Sequence, residues 1–364
     1  MWSKACNVLC IRLDTLGDVL MTTPALKALR AGAPGRRMTL LTSSAGAEAA
    51  ALVPEVDETI VYDAVWLKAT PPRADGASER AMAERLERAA FDAAIIFTVY
   101  SQNPLPSALM CHLADIPLRL AHCRENPYGL LTDWVRDTEP ETGIRHEVRR
   151  QLDLVASIGC RGGDEKMSLR VPEAARAAVD DLLDRKGIDV SSPWVVVHPG
   201  ASAASRRYEP EGFAAVAQRL AGDGIGVLFT GAAHEGELVE LIRARCGAPS
   251  CSVAGELDVA ELAALIDRAP LLISNNTGPV HIACAVGTPL VDLYALTNPQ
   301  HTPWGVPHRV LFHDVPCKWC LKSVCPEGHH NCLRLVSPEA VVEAAHELLD
   351  AGFTLGTGAR VKRA

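Results

Sequence analysis

The sequence lacks any apolar run of the roughly 18 residues that a membrane-crossing helix requires. The apolar run at residues 8–11 stops at Arg12, and it has neither the length nor the small-residue cleavage site of a signal peptide. We therefore interpret residues 8–11 as part of a buried first strand and expect a cytoplasmic protein.

Long basic segments and the dinucleotide fingerprint are also missing. The formal charge is −8, and arginines occur only in short clusters such as Arg149-Arg150 and Arg206-Arg207. Proteins that bind nucleic acid usually carry a basic stripe, so no nucleic-acid partner is expected. No G-x-G-x-x-G follows the first predicted strand, so the sequence does not support a dinucleotide site there.

The length and pattern of the chain predict two α/β domains. The 364 residues are 48% apolar and 22% charged, which suffices for two hydrophobic cores. Short apolar strands alternate with helices, and this rhythm restarts at Trp194, as in parallel sheets covered by helices. We expect two Rossmann-like lobes facing a central cleft, with the first over residues 1–175, the second over 176–352 and a polar tail over 353–364. The predicted strands are 7–12, 38–42, 58–62, 91–97, 194–198, 226–230, 271–274 and 289–293.

Two segments are harder to interpret from the sequence. Residues 104–147 contain several prolines, aromatics and histidines and show little regular pattern. Residues 167–189 are predicted to hold a strand, a helix and a glycine-containing loop, and they are the candidate linker. A closing helix is predicted over residues 337–350, with Ser337 as its N-cap.

The first motif that could carry chemistry is Arg12-Leu-Asp-Thr-Leu-Gly-Asp18-Val-Leu, residues 12–20, whose turn 14–18 follows the first strand. Ligands of open α/β sheets bind outside the carboxyl ends of the strands, and Asp18 is expected at such an end. An aspartate near the start of a helix is also a common capping residue. The residues alone leave both interpretations open.

A second motif follows the strand at 194–198 and runs from His198 to Tyr208. Its small residues, including Gly200, Ser202 and Ser205, expose backbone N–H groups that can hold an anion. Arg206 and its neighbour Arg207 add charged donors suited to phosphate. The alternative is a flexible surface loop with solvated arginines.

A third motif, residues 274–281, follows an apolar strand and opens a helix. Helix N-termini attract anions, so Asn276, Thr277, Gly278 and His281 are expected at a pyrophosphate site. The alternative for His281 is a buried structural histidine. In a fourth motif, 230–235, Glu235 is placed to accept hydrogen bonds from a ribose or to cap a helix.

Four clustered cysteines form the last motif, with the spacing C-x2-C-x4-C-x6-C. Thiolates this close together can enclose a tetrahedral zinc or iron, and His329 or His330 could replace one of them. Reduced cysteines without a metal, or disulfides, are the alternatives. The four cysteines are Cys317, Cys320, Cys325 and Cys332.

In this order the motifs resemble glycosyltransferase family 9, the ADP-heptose:lipopolysaccharide heptosyltransferases. The likeness rests on Gly-Asp after the first strand, His-Pro-Gly with a basic-aromatic pair, Thr-Gly-Ala, and Ser-Asn-x-Thr-Gly-Pro-x-His, and it covers residues 7–349. It implies a GT-B fold and an inverting, metal-independent transfer from an ADP-sugar.

The resemblance also implies residue roles. Asp18 corresponds to the general base of the family, and Glu235 to its ribose-binding acid. The diphosphate contacts correspond to Arg206 with Ser205, and to Thr277 and Gly278 with His281 beside them. Leu257 corresponds to the hydrophobic residue beside the adenine. The family commonly has aspartate where this chain has Asn276, which removes a negative charge near the donor sugar.

The expected function is transfer of a sugar, heptose by resemblance, from an ADP-sugar to a lipopolysaccharide core or related surface glycan. The acceptor would be lipid-linked at the inner face of the cytoplasmic membrane, where the enzyme would act peripherally. No cofactor is expected for catalysis, and a zinc or iron at the cysteines would be structural. The alternatives are a transferase or epimerase of the same fold that uses another nucleotide sugar, such as a UDP-sugar, and a non-catalytic sugar-nucleotide-binding protein.

Overall fold

The structure is a computed structural model that describes residues 1–68 and 70–356. The chain divides into two compact units, Met1–Arg170 and a second that begins at Val171. The division lies five residues before the expected boundary at 175/176. Each unit is described by itself below.

The first unit is a parallel six-stranded sheet covered by helices. The strand order is β3-β2-β1-β4-β5-β6, and every neighbouring pair is parallel. Strand β1 is apolar and buried because it lies in the middle of the sheet, with helices above and below. In chain order the elements are β1 Asn7–Arg12, α1 Leu16–Gly32, β2 Arg37–Thr42, α2 Ser44–Ala50, β3 Glu58–Val61, α3 Ala77–Arg88, β4 Ala93–Ile96, α4 Leu105–Leu113, β5 Leu118–Cys123, β6 Asp133–Arg136 and α5 Glu147–Ala156.

The second unit repeats this architecture. Its strand order is β12-β11-β10-β7-β8-β9, again with parallel neighbours. Counted from its own first strand, this is the order of the first unit, the Rossmann-like 3-2-1-4-5-6. The elements are α6 Glu173–Lys186, β7 Trp194–His198, α7 Pro210–Gly222, β8 Gly226–Phe229, α8 Gly236–Cys246, β9 Cys251–Ser252, α9 Val259–Arg268, β10 Leu272–Asn275, α10 Gly278–Val286, β11 Leu290–Leu293, β12 His308–Leu311, α11 Asn331–Arg334 and α12 Pro338–Gly356.

Shared strand order places a switch point in each sheet. In the first unit the connections diverge between β1 and β4, and in the second between β7 and β10. Loops that leave the carboxyl ends of such strand pairs turn to opposite faces of the sheet and open a crevice. The motifs around Asp18, Gly200 and Thr277 follow β1, β7 and β10 directly, so all three lie at these switch points.

Several sequence-based expectations differ from the structure. The segment 104–147, which showed little pattern, contains α4, β5 and β6. Segment 167–189 contains the helix α6 but no strand among its residues, all of which the structure describes. The closing helix continues to Gly356, so residues 353–356 of the expected tail are helical, while 357–364 lie outside the described residues. No helix in the described part of the chain is long and apolar enough to cross a membrane.

Candidate active site

Asp18 lies in the first turn of α1, and both of its carboxylate oxygens have partners. Oδ1 is 3.0 Å from Nη2 of Arg12, and Oδ2 accepts hydrogen bonds from the backbone N and Oγ1 of Thr15, at 3.1 and 2.8 Å. Thr15 is the N-cap of α1, so Asp18 does cap the helix. The same carboxylate also belongs to an ion-pair cluster, which a cap alone does not require.

The cluster is centred on the guanidinium of Arg12, which is fully buried. Besides Asp18, it contacts Asp14 Oδ2 at 2.9 Å and Glu147 Oε1 at 2.8 Å. Burial alone would lower the pKa of Arg12, but the charges of the three carboxylates raise it above its ordinary value. One cation therefore holds three acids together at the carboxyl end of β1, leaving a net negative charge there when all three are ionised.

Asp14 differs from Asp18 in that it faces a cavity. Burial raises the pKa of the Asp14 carboxyl to about 6, although Arg12 acts in the opposite direction. Its Oδ1 accepts a hydrogen bond of 2.5 Å from Nε2 of Gln102. The cavity has a volume of about 440 Å³ and is also lined by Trp66 and Thr98. The carboxyl ends of β1 and β4 thus enclose a space that can hold a ligand beside an acid.

In the second unit, Gly200 and Glu235 are in close contact. A Cβ added to Gly200 would lie 2.1 Å from Oε1 of Glu235, so any larger residue there would require the Glu235 carboxylate to move. The Glu235 carboxylate also accepts a hydrogen bond of 2.8 Å from Ala232 N and lies 3.8 Å from Nε2 of His198. Burial lowers the pKa of His198, so Glu235 is placed beside a neutral imidazole at the carboxyl end of β7.

Residues 200–207, which we name the phosphate loop after the ligand that the sequence predicts there, are held at both ends by one buried side chain. Asn275, the last residue of β10, donates from Nδ2 to the carbonyl of Pro199 at 2.7 Å. Its Oδ1 accepts from the backbone N of Tyr208 at 3.0 Å. Asn275 therefore fixes the span of the loop across the switch point of the second sheet.

The two arginines of the phosphate loop have different environments. Arg207 is exposed, and its Nε donates to the carbonyl of Ala201 at 2.8 Å, which folds the loop upon itself. Arg206 is half-buried, and its Nε has no partner within the described residues. Asp292 on β11 is fully buried, and neither of its carboxylate oxygens has a hydrogen-bond partner among the residues that the structure describes. Burial raises the pKa of Asp292 well above its ordinary value, while the charge of Arg206 opposes the rise.

The third motif forms the start of α10. Thr277 is the N-cap, Gly278 is the first helical residue, and His281 is buried one turn further on. Asn276 is 1% exposed and donates from Nδ2 to Oγ1 of Thr297 at 3.2 Å. The half-buried Leu257 lies after β9, directly before the N-cap of α9. These residues all follow carboxyl ends of strands in one sheet.

The clustered cysteines lie between β12 and α12. Each of the four is a half-buried free thiol. Burial raises the pKa of Cys332, and the thiols of Cys325, Cys317 and Cys320 lie close enough to add to the rise. Cys317 Sγ is 3.6 Å from Nε2 of His329. Among the described residues, no group of three or more His, Cys, Asp or Glu side chains is arranged to hold a metal ion.

Sequence reasoning found the turns but missed several residues that build them. Arg12 and Asp14 belong to the first motif, yet their convergence with Glu147 depends on a contact across 135 positions. Asn275 stands inside the third motif, where its role as a clamp has no sequence signal. Asp292 lies inside an otherwise apolar predicted strand, where an aspartate is uncommon. That aspartate is the one sequence feature that could have indicated a special role.

Together the two units define a class of protein. Each is a Rossmann-like sheet, one with acids at its switch point and one with a glycine-arginine loop and a helix N-terminus, groups that suit an anionic diphosphate. Two such units in one chain make up the GT-B type of α/β fold, which is that of many nucleotide-sugar glycosyltransferases.

Comparisons with known proteins identify the family. The model of glycosyltransferase family 9 (heptosyltransferase) matches residues 79–331, more than half of the chain. The chain is 26% identical over 364 residues to lipopolysaccharide heptosyltransferase 2 of Salmonella typhimurium, covering 94% of this chain and 98% of that protein. The chain therefore belongs to glycosyltransferase family 9 and is a glycosyltransferase.

Two solved structures support the fold. A family 9 glycosyl transferase from Veillonella parvula superposes with a TM-score of 0.79 at 22% identity, covering 96% of this chain and 99% of that one. The ADP-heptose lps heptosyltransferase II of E. coli gives 0.73 at 23% identity, covering 95% and 99%. Both likenesses extend over nearly the whole chain, so its two Rossmann-like units have the GT-B fold.

Proposed function

We propose that this protein transfers a heptose from ADP-heptose to a lipopolysaccharide core acceptor, with inversion at the anomeric carbon. The observation that carries the proposal is the switch point of the second sheet, where Asn275 fixes a glycine-arginine loop beside the N-terminus of α10. Two of the relatives named above are heptosyltransferases, and one of these is named for ADP-heptose. The second unit is the donor-binding unit and the first the acceptor-binding unit.

On the donor side, the diphosphate is bound by Arg206 and by the N–H groups at Thr277 and Gly278. Gly200, Ser202 and Ser205 supply the loop that brings Arg206 to it, and His281 lies one turn behind. The departing ADP gains negative charge as the glycosidic bond breaks, and a fixed guanidinium and helix dipole stabilise that charge. Protein groups thus provide the stabilisation that a divalent metal gives in other transferases.

The nucleoside is assigned to the remaining strand ends of this sheet. Glu235, 12% exposed, accepts the ribose hydroxyl groups, and Leu257 contacts the adenine. Asn276 is assigned to the donor-sugar side, and its hydrogen bond to Thr297 keeps its amide oriented. An asparagine there contributes no charge, so the sugar is selected by hydrogen bonding alone.

On the acceptor side, Asp18 is the general base. Its carboxylate is fixed by Arg12 and Thr15, so that it is oriented before the acceptor binds. As the acceptor oxygen forms its bond to the anomeric carbon, Asp18 takes the hydroxyl proton and ADP leaves with the bonding electrons. The cavity beside Asp14 holds the acceptor sugar, and Asp14 and Gln102 face its hydroxyl groups.

The lipid part of the acceptor fits a second cavity. A groove of about 450 Å³ between α3 and α4 shares Trp66 and Pro106 with the first cavity, and it is lined by the exposed Leu109 and Leu113. The other wall carries three glutamates, Glu79, Glu84 and Glu87, and one cation, Arg80. Because the carboxylates outnumber the cation, the groove suits an acyl chain better than a phosphate. The enzyme then works peripherally at the inner face of the cytoplasmic membrane.

The groove can be tested separately from the chemistry. Leu109→Ser with Leu113→Ser should raise KM for a lipid-linked acceptor and leave KM for the delipidated oligosaccharide unchanged. Equal KM values for both acceptors in the variant and the native protein would remove the groove from the acceptor site.

The four clustered cysteines, Cys317, Cys320, Cys325 and Cys332, are assigned to one structural zinc or iron. The donors fit such an ion chemically, and His329, whose Nε2 lies 3.6 Å from Cys317 Sγ, is placed to replace one of the thiolates as a ligand. When bound, the metal would cross-link the loop and supply no chemistry to the transfer. Elemental analysis of protein purified from cytoplasm should find about one zinc or iron per chain, and finding neither contradicts this assignment.

A transfer assay with product detection by mass tests the proposed function. ADP-heptose with a heptose-deficient lipopolysaccharide core should give a product heavier by one heptose. ADP-glucose, UDP-glucose and UDP-N-acetylglucosamine serve as competing donors in parallel reactions. Product from a UDP-sugar alone would assign the fold to another donor, and binding of ADP-heptose with no transfer to any acceptor would indicate a non-catalytic protein.

A further inference from the structure

Ser205 connects the phosphate loop to the segment that carries the cysteines. We name residues 317–332 the cysteine loop. Ser205 is 4% exposed, and its Oγ donates to the carbonyl of Lys322 at 2.7 Å while its backbone N donates to the carbonyl of Ser323 at 3.1 Å. Its own carbonyl accepts from Nε2 of His330 at 2.8 Å. Every polar group of Ser205 therefore bonds to the cysteine loop.

These contacts matter because Arg206 is the next residue. The Nε of Arg206 is buried but has no hydrogen-bond partner within the described residues. The backbone of Arg206 is instead fixed by its neighbours, and the cysteine loop holds the one immediately before it. The loop in turn is held to the segments that follow β11 and β12. Leu321 N donates to the carbonyl of Leu296 at 2.9 Å, and His313 N donates to that of Cys332 at 2.7 Å.

We infer that the cysteine loop is a positioning element for the sugar-nucleotide donor, acting through Ser205 to hold Arg206 at the diphosphate. The inference rests on the proposed function, because it takes Arg206 as the diphosphate contact. It assigns the cysteine loop a role in donor affinity, beyond stabilising the fold. Whatever holds the thiols together, including a bound metal, then tightens donor binding.

Linkage makes the coupling reciprocal. If zinc on the thiols strengthens ADP binding by some factor, ADP must strengthen zinc binding by the same factor. A metal that stabilised only the fold would leave the affinity of the folded protein for ADP unchanged. The two roles therefore differ in a binding measurement and not only in activity.

The test is a double-mutant cycle on ADP affinity, measured by calorimetry. Ser205→Ala removes the bond to Lys322, and Cys325→Ser removes the thiol two residues after Ser323. Each should weaken ADP binding roughly three- to tenfold, the equivalent of one neutral hydrogen bond. The double variant should bind ADP no more weakly than the single variant with the lower affinity, because both changes break the same connection. KM for the donor should rise while kcat changes little.

Matched controls separate positioning from general damage. Cys6→Ser replaces an exposed thiol of the first unit, and His313→Ala an exposed histidine next to the cysteine loop; both should bind ADP as the native protein does. If Cys325→Ser does not fold, Ser205→Ala and His330→Ala test the same contacts. Native affinity in those variants, or effects that multiply in the double variant, would overturn the inference. Arg206→Ala serves as the reference, since its failure to weaken ADP binding would instead overturn the proposed donor site.

Discussion

The two units share one strand order but have opposite chemistry at their switch points. In the first, the carboxyl end of β1 carries Asp14 and Asp18 around the buried Arg12. In the second, the carboxyl end of β7 carries a loop of small residues that ends in Arg206 and Arg207. The comparison shows that the Rossmann-like framework fixes where a site lies, while a few loop residues after the strands decide what it binds.

The arginines show the difference most clearly. Arg12 has no exposed surface and contacts three carboxylates, so its charge is neutralised within the protein. Arg206 is half-buried, its Nε has no partner among the described residues, and its charge acts on the buried Asp292, so we propose that its guanidinium also serves a ligand. We therefore expect Arg12 to determine the stability of the fold and Arg206 to determine the affinity for ADP.

The largest expected effect is on stability, from Arg12→Met. Removing the cation leaves three buried or half-buried carboxylates uncompensated, which should lower the free energy of unfolding by about 3–5 kcal/mol. Denaturant unfolding measures the loss. Arg37→Met is the control, because Arg37 forms an exposed ion pair with Glu58 and should cost at most about 1 kcal/mol. Similar losses in both variants would contradict the central position of Arg12.

In contrast to Arg12→Met, Arg206→Ala should change ligand binding and not stability. We expect native stability but ADP binding weaker by about 1.5–3 kcal/mol, the contribution of a charged hydrogen bond. Calorimetry with ADP checks this. Arg219→Ala, which breaks an exposed ion pair with Glu339 in the same unit, should leave ADP affinity unchanged. Unchanged affinity in Arg206→Ala would remove this arginine from the donor site.

A smaller effect is expected from the pH dependence of stability. Because the pKa of Asp14 is about 6 in the folded protein and ordinarily 3.8, the folded state holds the proton more tightly. Its stabilising contribution is complete below about pH 4 and disappears as the pH rises through 6. Relative to Asp14→Asn, the native protein should therefore lose on the order of 1–3 kcal/mol between pH 4 and 7. Parallel stability curves for the two proteins would show that Asp14 titrates normally.

How much the sequence could predict depended on the range of the signal. The buried strands β1 and β7 are continuous apolar runs, so their positions were predicted correctly from local pattern. Strands β5 and β6 lie in a segment rich in proline and aromatics, and β9 has only two residues. None of the three strands therefore shows a usable periodicity of apolar residues. Helix α12 extends to Gly356, beyond the end predicted at Asp350.

The candidate site shows the same dependence on whether a signal is local or long-range in the sequence. Turns such as 14–18 and 198–208 could be recognised locally, because small and charged residues after a strand have a defined chemistry. The contacts that fix them could not, since Glu147, Asn275 and Ser205 act across 135, 76 and 117 positions. Their roles depend on the strand order of the folded sheets and appear only in the structure.

The central claim is that the acids of the first unit perform the chemistry and the cations of the second bind the donor. One measurement tests it directly, the kcat and the ADP affinity of Asp18→Asn set against those of Arg206→Ala. Asparagine keeps a side-chain oxygen that can accept from the backbone N of Thr15, so Asp18→Asn should fold and bind ADP normally while kcat falls about a hundred- to ten-thousandfold. Arg206→Ala should lose ADP affinity instead. Near-native kcat in Asp18→Asn with the lipopolysaccharide acceptor would contradict the account, because the acid at position 18 would then be a cap and not the base.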